Sequence, residues 1–264
     1  MVSILRMRIF LSIILVFSAT LVFAQDLQSI EAKLHDAFSK IEYHQHFGHE
    51  KGSLIKANES FEKMLLEYTS ANPETINYDF KELVAAGLTI ATSEDSLFRI
   101  YSWDTKTGGS MHYFANVFQL KNGKKTFSKR YLKETEDDRP DPGCFYFQIN
   151  DIKIGKRKYY LAQSQAILAT TIFTYTIKTF SINGSRLNDE TRIIKTRAGF
   201  RNELGYKVNL AGSLYEENED SSPTYNIVYD KNEKKIILPL IQEDGKLTNK
   251  KIVYHFNGKY FERP

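Results

Sequence analysis

The stretch LFRIYSWDTKTGGSMHYFANVFQL, Leu97–Leu120, decides how this chain is read. Leu97 to Trp103 and Met111 to Leu120 are rich in aromatic and β-branched residues, which suit the pleated, half-buried surface of a strand. Between them Asp104 can accept a hydrogen bond from backbone two residues ahead, and Gly108-Gly109 can supply positive φ. The run therefore predicts a hairpin, with Trp103 on the same side as Tyr101 and His112 on the opposite side from Met111. A functional reading of the same run makes Trp103 a stacking platform at a loop mouth, with Asp104 and His112 as polar ligand contacts. Nothing in the spacing demands chemistry, so the turn is the preferred reading.

Upstream of this run the apolar period is helical. Leu27, Ile30, Leu34, Phe38 and Ile41 form one stripe, and Leu54, Ala57, Phe61, Met64, Leu65 and Tyr68 form a second. Asn72-Pro73 ends the second helix. Asp79 with Glu82 reads as the capping box of a short third helix, and Gly87 as its stop. Downstream the period becomes two. The pairs Asn122-Gly123, Asn183-Gly184, Asp244-Gly245 and Asn257-Gly258 are hairpin turns, with Asp230-Lys231-Asn232 a weaker one. Thr171–Ile182, Tyr225–Tyr229, Lys235–Ile241 and Lys251–Phe256 lie between turns and read as strands. No repeat of fixed period is evident, which counts against a regular propeller.

The first 24 residues read as a secretory signal peptide. Arg6 and Arg8 precede an apolar run from Ile9 to Val22, and Val22-Phe23-Ala24 predicts cleavage before Gln25. No cysteine stands at the cleavage point to carry a lipid, and no later apolar run is long enough to span a bilayer. Without Arg6 and Arg8 the chain has 34 basic and 32 acidic side chains, a net charge of +2. That balance offers no general attraction for nucleic acid or an anionic membrane. Cys144 is the only cysteine, so no internal disulfide can form and burial must stabilise the fold. It stands in CFYFQI, an apolar strand-like run, and reads as a buried thiol.

The segment from about Phe80 to Phe118, centred on LFRIYSWDTKTGGSMH, resembles part of a group of uncharacterised secreted proteins of Gram-negative bacteria. The resemblance covers about a sixth of the chain. It implies a recurring hairpin and a periplasmic or extracellular address, and it assigns no activity and no catalytic residue.

The candidate metal ligands are His44, His46 and His49 in EYHQHFGHE, flanked by Glu42 and Glu50. Three imidazoles and a carboxylate suit Zn²⁺. Gly48 and Gly52, however, mark the segment as a connection between helices, and the spacing is not HExxH. Asp137, Asp138 and Asp141 are punctuated by Pro140 and Pro142 and lack a calcium-loop frame. Ser53–Lys56 and Ser60–Lys63 match SxxK and Lys106-Thr107-Gly108 matches KTG, but no SDN lies between them. GxSxG, GxGxxG and GxxxxGK[ST] do not occur. His112 and His255 stand beside aromatics in alternating strands, as packing histidines do. Lys121, Lys124, Lys125, Lys129 and Arg130, and a second cluster Lys153, Lys156, Arg157 and Lys158, suit either an anionic polymer or the protection of sheet edges.

The expected architecture is α+β: a signal peptide over 1–24, helices over 25–87 and an antiparallel β-rich domain over 88–264. That domain is a meander, sandwich or barrel, with an irregular propeller as the alternative. The expected function is non-catalytic binding of a ligand or protein partner in the cell envelope, with no cofactor, no nucleic acid and no catalytic residue. A hydrolase of envelope polymers and a metal-binding protein are the alternatives.

Overall fold

A computed structural model describes residues 26–48, 51–131, 142–211, 225–242 and 247–263. Residues 1–24, read above as a signal peptide, the acidic segment with Asp137, Asp138 and Asp141, and the expected turn at Asp244-Gly245 lie outside the described residues. No described helix is long and apolar enough to cross a membrane.

Helix α1 (26–47) and helix α2 (Lys51–Ala71) carry the two apolar stripes. Ile30, Leu34 and Ile41 are buried with Ala57, Phe61 and Leu65, and the Phe38 and Phe61 ring centroids are 4.8 Å apart. Pro73 opens a short 3₁₀ helix (Pro73–Asn77), as the Asn72-Pro73 break requires. Helix α3 (Lys81–Ala85) departs from the expected capping box. Its N-cap is Phe80, in the left-handed region at φ 48°, without a side-chain cap of its own. Phe80 is fully buried between the rings of Tyr78 and Tyr101, and this anchoring sets where the helix begins. The capping carboxylate comes from α1 instead: Glu31 accepts the Glu82 N–H at 2.8 Å and the Tyr78 hydroxyl at 2.7 Å. At the other end Leu88 N–H bonds Leu83 C=O, the closing bond of a glycine-terminated helix around Gly87.

Among the described residues three sheets follow. The first has the order β1 (Thr89–Thr92), β2 (Phe98–Asp104), β3 (Phe114–Asn122) and β4 (Lys125–Arg130), all antiparallel. Alternation along β2 sends Tyr101 and Trp103 to the helices and Phe98 and Ile100 to the second sheet, and each of these four is buried. Arg99 and Gln119 join the helical layer to the sheet. Arg99 donates to the Thr75 and Tyr78 carbonyls, and Gln119 donates to the Thr69 carbonyl.

The second sheet has the order β11-β7-β6-β5, with β5 (Phe145–Ile154), β6 (Arg157–Ala169), β7 (Ile172–Asn183) and β11 (Glu203–Asn209). Strand β8 (Arg186–Asn188) pairs with β7 beside it. The third contains β9 (Ile194–Thr196), β10 (Gly199–Arg201), β12 (Val228–Asp230), β13 (Lys235–Ile241), β14 (Leu247–Phe256) and β15 (Phe261–Glu262). Its β15–β9 pair is parallel; the other pairs are antiparallel. The fold is thus α+β, with the sheets stacked as layers and not closed into a barrel. One core lies between helices and first sheet, one between first and second sheets, and one between second and third. Each large side chain buried in these layers contributes about 1.5–3 kcal/mol.

Two of the hairpin turns sit one residue later than their Asn-Gly pairs suggest, whereas Asn257-Gly258 lies in its loop between Phe256 and Phe261 as expected. Asn122 pairs with Lys125 inside the ladder, so the turn residues are Gly123 and Lys124, with φ +60° at Gly123. Only the first central position takes positive φ, as in a type II′ turn, and glycine alone occupies it without strain. Asn183 pairs with Arg186 in the same way.

Candidate functional site

The face of the second sheet that looks toward the first changes character along its length. At one end Phe180, Tyr160 and Tyr146 fill the space against Phe98 and Phe118, with the Phe98–Phe180 centroids 5.6 Å apart. Further along the same strands the residues on this face shrink to Ser164 and Ala166 on β6 and Thr174 and Thr176 on β7. Small side chains cannot bridge the inter-sheet gap of ~10 Å. A cleft of about 530 Å³ remains, walled by Phe114 and Asn116 of β3, by Tyr131 beyond β4 and by Pro142–Cys144 ahead of β5.

Backbone and side-chain bonds hold the walls. Phe114 N–H donates to the Pro142 carbonyl at 2.8 Å, and Asn116 donates to the Cys144 carbonyl at 2.9 Å. Ser102 hydroxyl donates to Asn116 and accepts the Tyr146 N–H.

One buried cation stands on the cleft floor. The Lys178 side chain is 8% exposed; its ammonium donates to Tyr131 Oη at 2.6 Å and to Asp189 Oδ2 at 3.2 Å. It also lies over the Tyr131 and Phe180 rings, 5.3 and 5.5 Å from their centroids. Tyr131 donates to Asp189 at 2.7 Å, and its ring stacks on Phe118 at 4.5 Å. Burial, reinforced by this bond to Asp189, pushes the Tyr131 phenol far above its ordinary value, so it remains a donor. Burial would raise Asp189, but the Tyr131 hydroxyl and the Lys178 ammonium outweigh it and hold the carboxyl below its ordinary value. Glu203 is the direct cross-strand partner of Lys178 and lines the same cleft. Among the described residues its carboxylate has neither a hydrogen bond nor an ion pair.

The residues singled out in the sequence lie elsewhere. Trp103 is 1% exposed, on the helix side of the first sheet; its indole N–H donates to Asn58 at 3.0 Å and its ring meets Phe61 edge-on at 5.1 Å. A ring so enclosed gives no stacking surface to a ligand. Asp104 and His112 do meet, at 2.7 Å, beside a hollow of about 60 Å³. Asp104 also accepts the Lys106 N–H two residues on, the expected turn bond. The positive φ belongs to Lys106, at 58°, and not to the glycines. Gly108 serves a close approach: a Cβ there would stand 1.9 Å from the Met111 carbonyl oxygen.

His44 and His46 sit on the last turns of α1. His46 pairs with exposed Glu42 at 2.8 Å, and His44 packs against Tyr43. His49 lies outside the described residues, and no group of three metal-ligating side chains occurs among the described ones. Cys144, expected in the core, is half-buried and lines the cleft, because it precedes β5 and is not within it. Of the basic residues, Lys158 is bound to Asp95 at 2.7 Å and Arg130 to Glu62 at 3.3 Å.

Tyr131, Ser164, Thr176, Lys178 and Glu203 were not legible as a site. The one local signal is Lys178 itself, a charge set on the same strand face as Phe180 in the apolar run TYTIKTFSI. No protein-family model matches the chain, and no curated protein and no solved structure is significantly similar to it.

Proposed function

We propose that this chain is a non-catalytic binding protein of the cell envelope, exported by its N-terminal 24 residues, whose ligand occupies the cleft between the first and second sheets. The observation that carries this reading is the cleft itself. About 530 Å³ stays open where a run of small residues replaces the aromatic packing, and charged side chains stand on its floor. Concave sites with a few convergent polar groups on an apolar wall are where small molecules bind. The walls are strands of two sheets joined by hydrogen bonds, a rigid setting that limits the ordering cost of binding.

The test is a thermal-shift screen of the purified protein with small molecules released from envelope polymers, repeated on two cleft-filling variants, Ala166→Leu and Leu168→Trp. A ligand at a hundred times its Kd adds ~2.7 kcal/mol of stability. A shift present in the natural protein and lost in folded variants supports the reading. A shift that survives in both places the ligand elsewhere.

A further inference from the structure

Resting on the cleft as the binding site, we infer that its ligand is a neutral, polyhydroxylated molecule: a carbohydrate of one to three rings. Several polar groups of the cleft make no hydrogen bond to the described protein. Ser164, Thr174 and Thr176 line the cleft from adjacent strands, Ser164 paired with Thr176 and Ala166 with Thr174. None of their hydroxyls has a hydrogen-bond partner among the described residues, and neither does the Glu203 carboxylate. Ser164 is only 3% exposed. An acyl chain filling the cleft would strip water from all four groups and return nothing. The occupant must carry hydrogen-bonding groups along much of its length.

Charge selects further. Lys178 and Glu203 are paired across β7 and β11, so opposite charges share one floor, and Asp189 already holds the Lys178 ammonium. An anion approaching Lys178 meets Glu203 and Asp189; a cation approaching Glu203 meets Lys178. A neutral ligand avoids both repulsions. It must offer donors to Glu203 and both donors and acceptors to the three hydroxyls, which sugar hydroxyls do. The C–H faces of a sugar ring suit the walls of Phe114, Ala166 and Leu168. A peptide fits less well. The floor strands β6 and β7 are interior to their sheet and use their backbone groups there, leaving no ladder to extend.

The experiment is calorimetric titration of the purified protein with maltotriose, cellotriose and triacetylchitotriose as neutral probes. Trigalacturonate serves as anion, chitotriose as cation, trialanine as peptide and decanoate as acyl chain. Binding of a neutral trisaccharide is expected, weakened about tenfold or more in the nearly isosteric Thr176→Val, which removes a hydroxyl, and in Glu203→Gln, which trades a charged acceptor for a neutral amide. Preference for decanoate, trialanine or a charged probe, or no binding by any neutral sugar, would overturn the ligand class. Leu168→Trp separates that failure from failure of the site: a preferred probe it excludes still binds in the cleft, whereas one it does not exclude binds elsewhere.

Discussion

Neighbouring glycines in the opening turn should respond in opposite ways to the same substitution. In Gly108→Ala the new methyl carbon would sit 1.9 Å from the Met111 carbonyl oxygen and 3.0 Å from the Tyr113 ring. Carbon and carbonyl oxygen ordinarily stay ~3.3 Å apart, so the loop must open by roughly 1.4 Å. The bonds within reach of that movement are Thr105 N–H and Thr105 hydroxyl to the Tyr113 carbonyl, both 2.8 Å, and His112 N–H to the Ile167 carbonyl, 3.0 Å. At about 1 kcal/mol each, their loss costs ~2–3 kcal/mol. Stiffening of the unfolded chain offsets ~0.4–1 of this. The net expectation is destabilisation by about 2 kcal/mol. Gly109→Ala meets no atom within 4 Å and keeps an ordinary φ, so only the unfolded-state term remains: no change, or a gain of up to ~1 kcal/mol. Urea unfolding of both variants at constant m-value gives the comparison. Equal losses, or a larger loss at Gly109, would refute the close-approach geometry of this turn.

Trp103→Ala should cost ~3–5 kcal/mol, the range for emptying an aromatic site in a packed core, while leaving cleft affinity unchanged; a stacking platform would lose affinity and spare stability. Acid should weaken the fold through Asp95. Burial raises its pKa, but bonds from Lys158, Ser93 and the Leu97 N–H outweigh burial and hold it below its ordinary value. A carboxyl so lowered binds its proton more weakly when folded. Its contribution is therefore complete above the unfolded value of ~4 and lost as pH falls through the folded value. Asp151, raised mainly by burial, acts in the opposite sense. Asp95→Asn should lower stability at neutral pH and flatten the acid limb of a stability-versus-pH curve; an unchanged limb would count against the Lys158 clamp.

Local pattern carried the helices and most strands into view. The stripe from Ile30 to Ile41 has one period, and that period is also the packing surface. Turn chemistry was visible as Asn-Gly, correctly at Asn257-Gly258 but a residue early at Asn122-Gly123 and Asn183-Gly184, because spacing does not say which residue leaves the ladder. Strand β6, thirteen residues long, was hidden. Its segment LAQSQAILA is rich in Ala, Gln and Ser, which have weak strand preference, and it is a strand because β5 and β7 flank it. The cleft was hidden for a related reason. It exists because small residues on β6 and β7 face β3 across a gap, and that relation appears only when the sheets stack. Trp103 drew the eye as the sole tryptophan, yet its neighbours in space, Phe61 and Asn58, belong to a helix far upstream, 45 residues away at Asn58.

Cys144 allows the most direct test of the cleft as the binding site. It is the only cysteine, half-buried, and part of the cleft wall. Its alkylation by iodoacetamide, followed by mass spectrometry with and without a ligand that shifts the melting temperature, reports occupancy at that wall. Ligand in the cleft is expected to slow alkylation in proportion to the fraction bound. An unchanged rate at saturating ligand would contradict it.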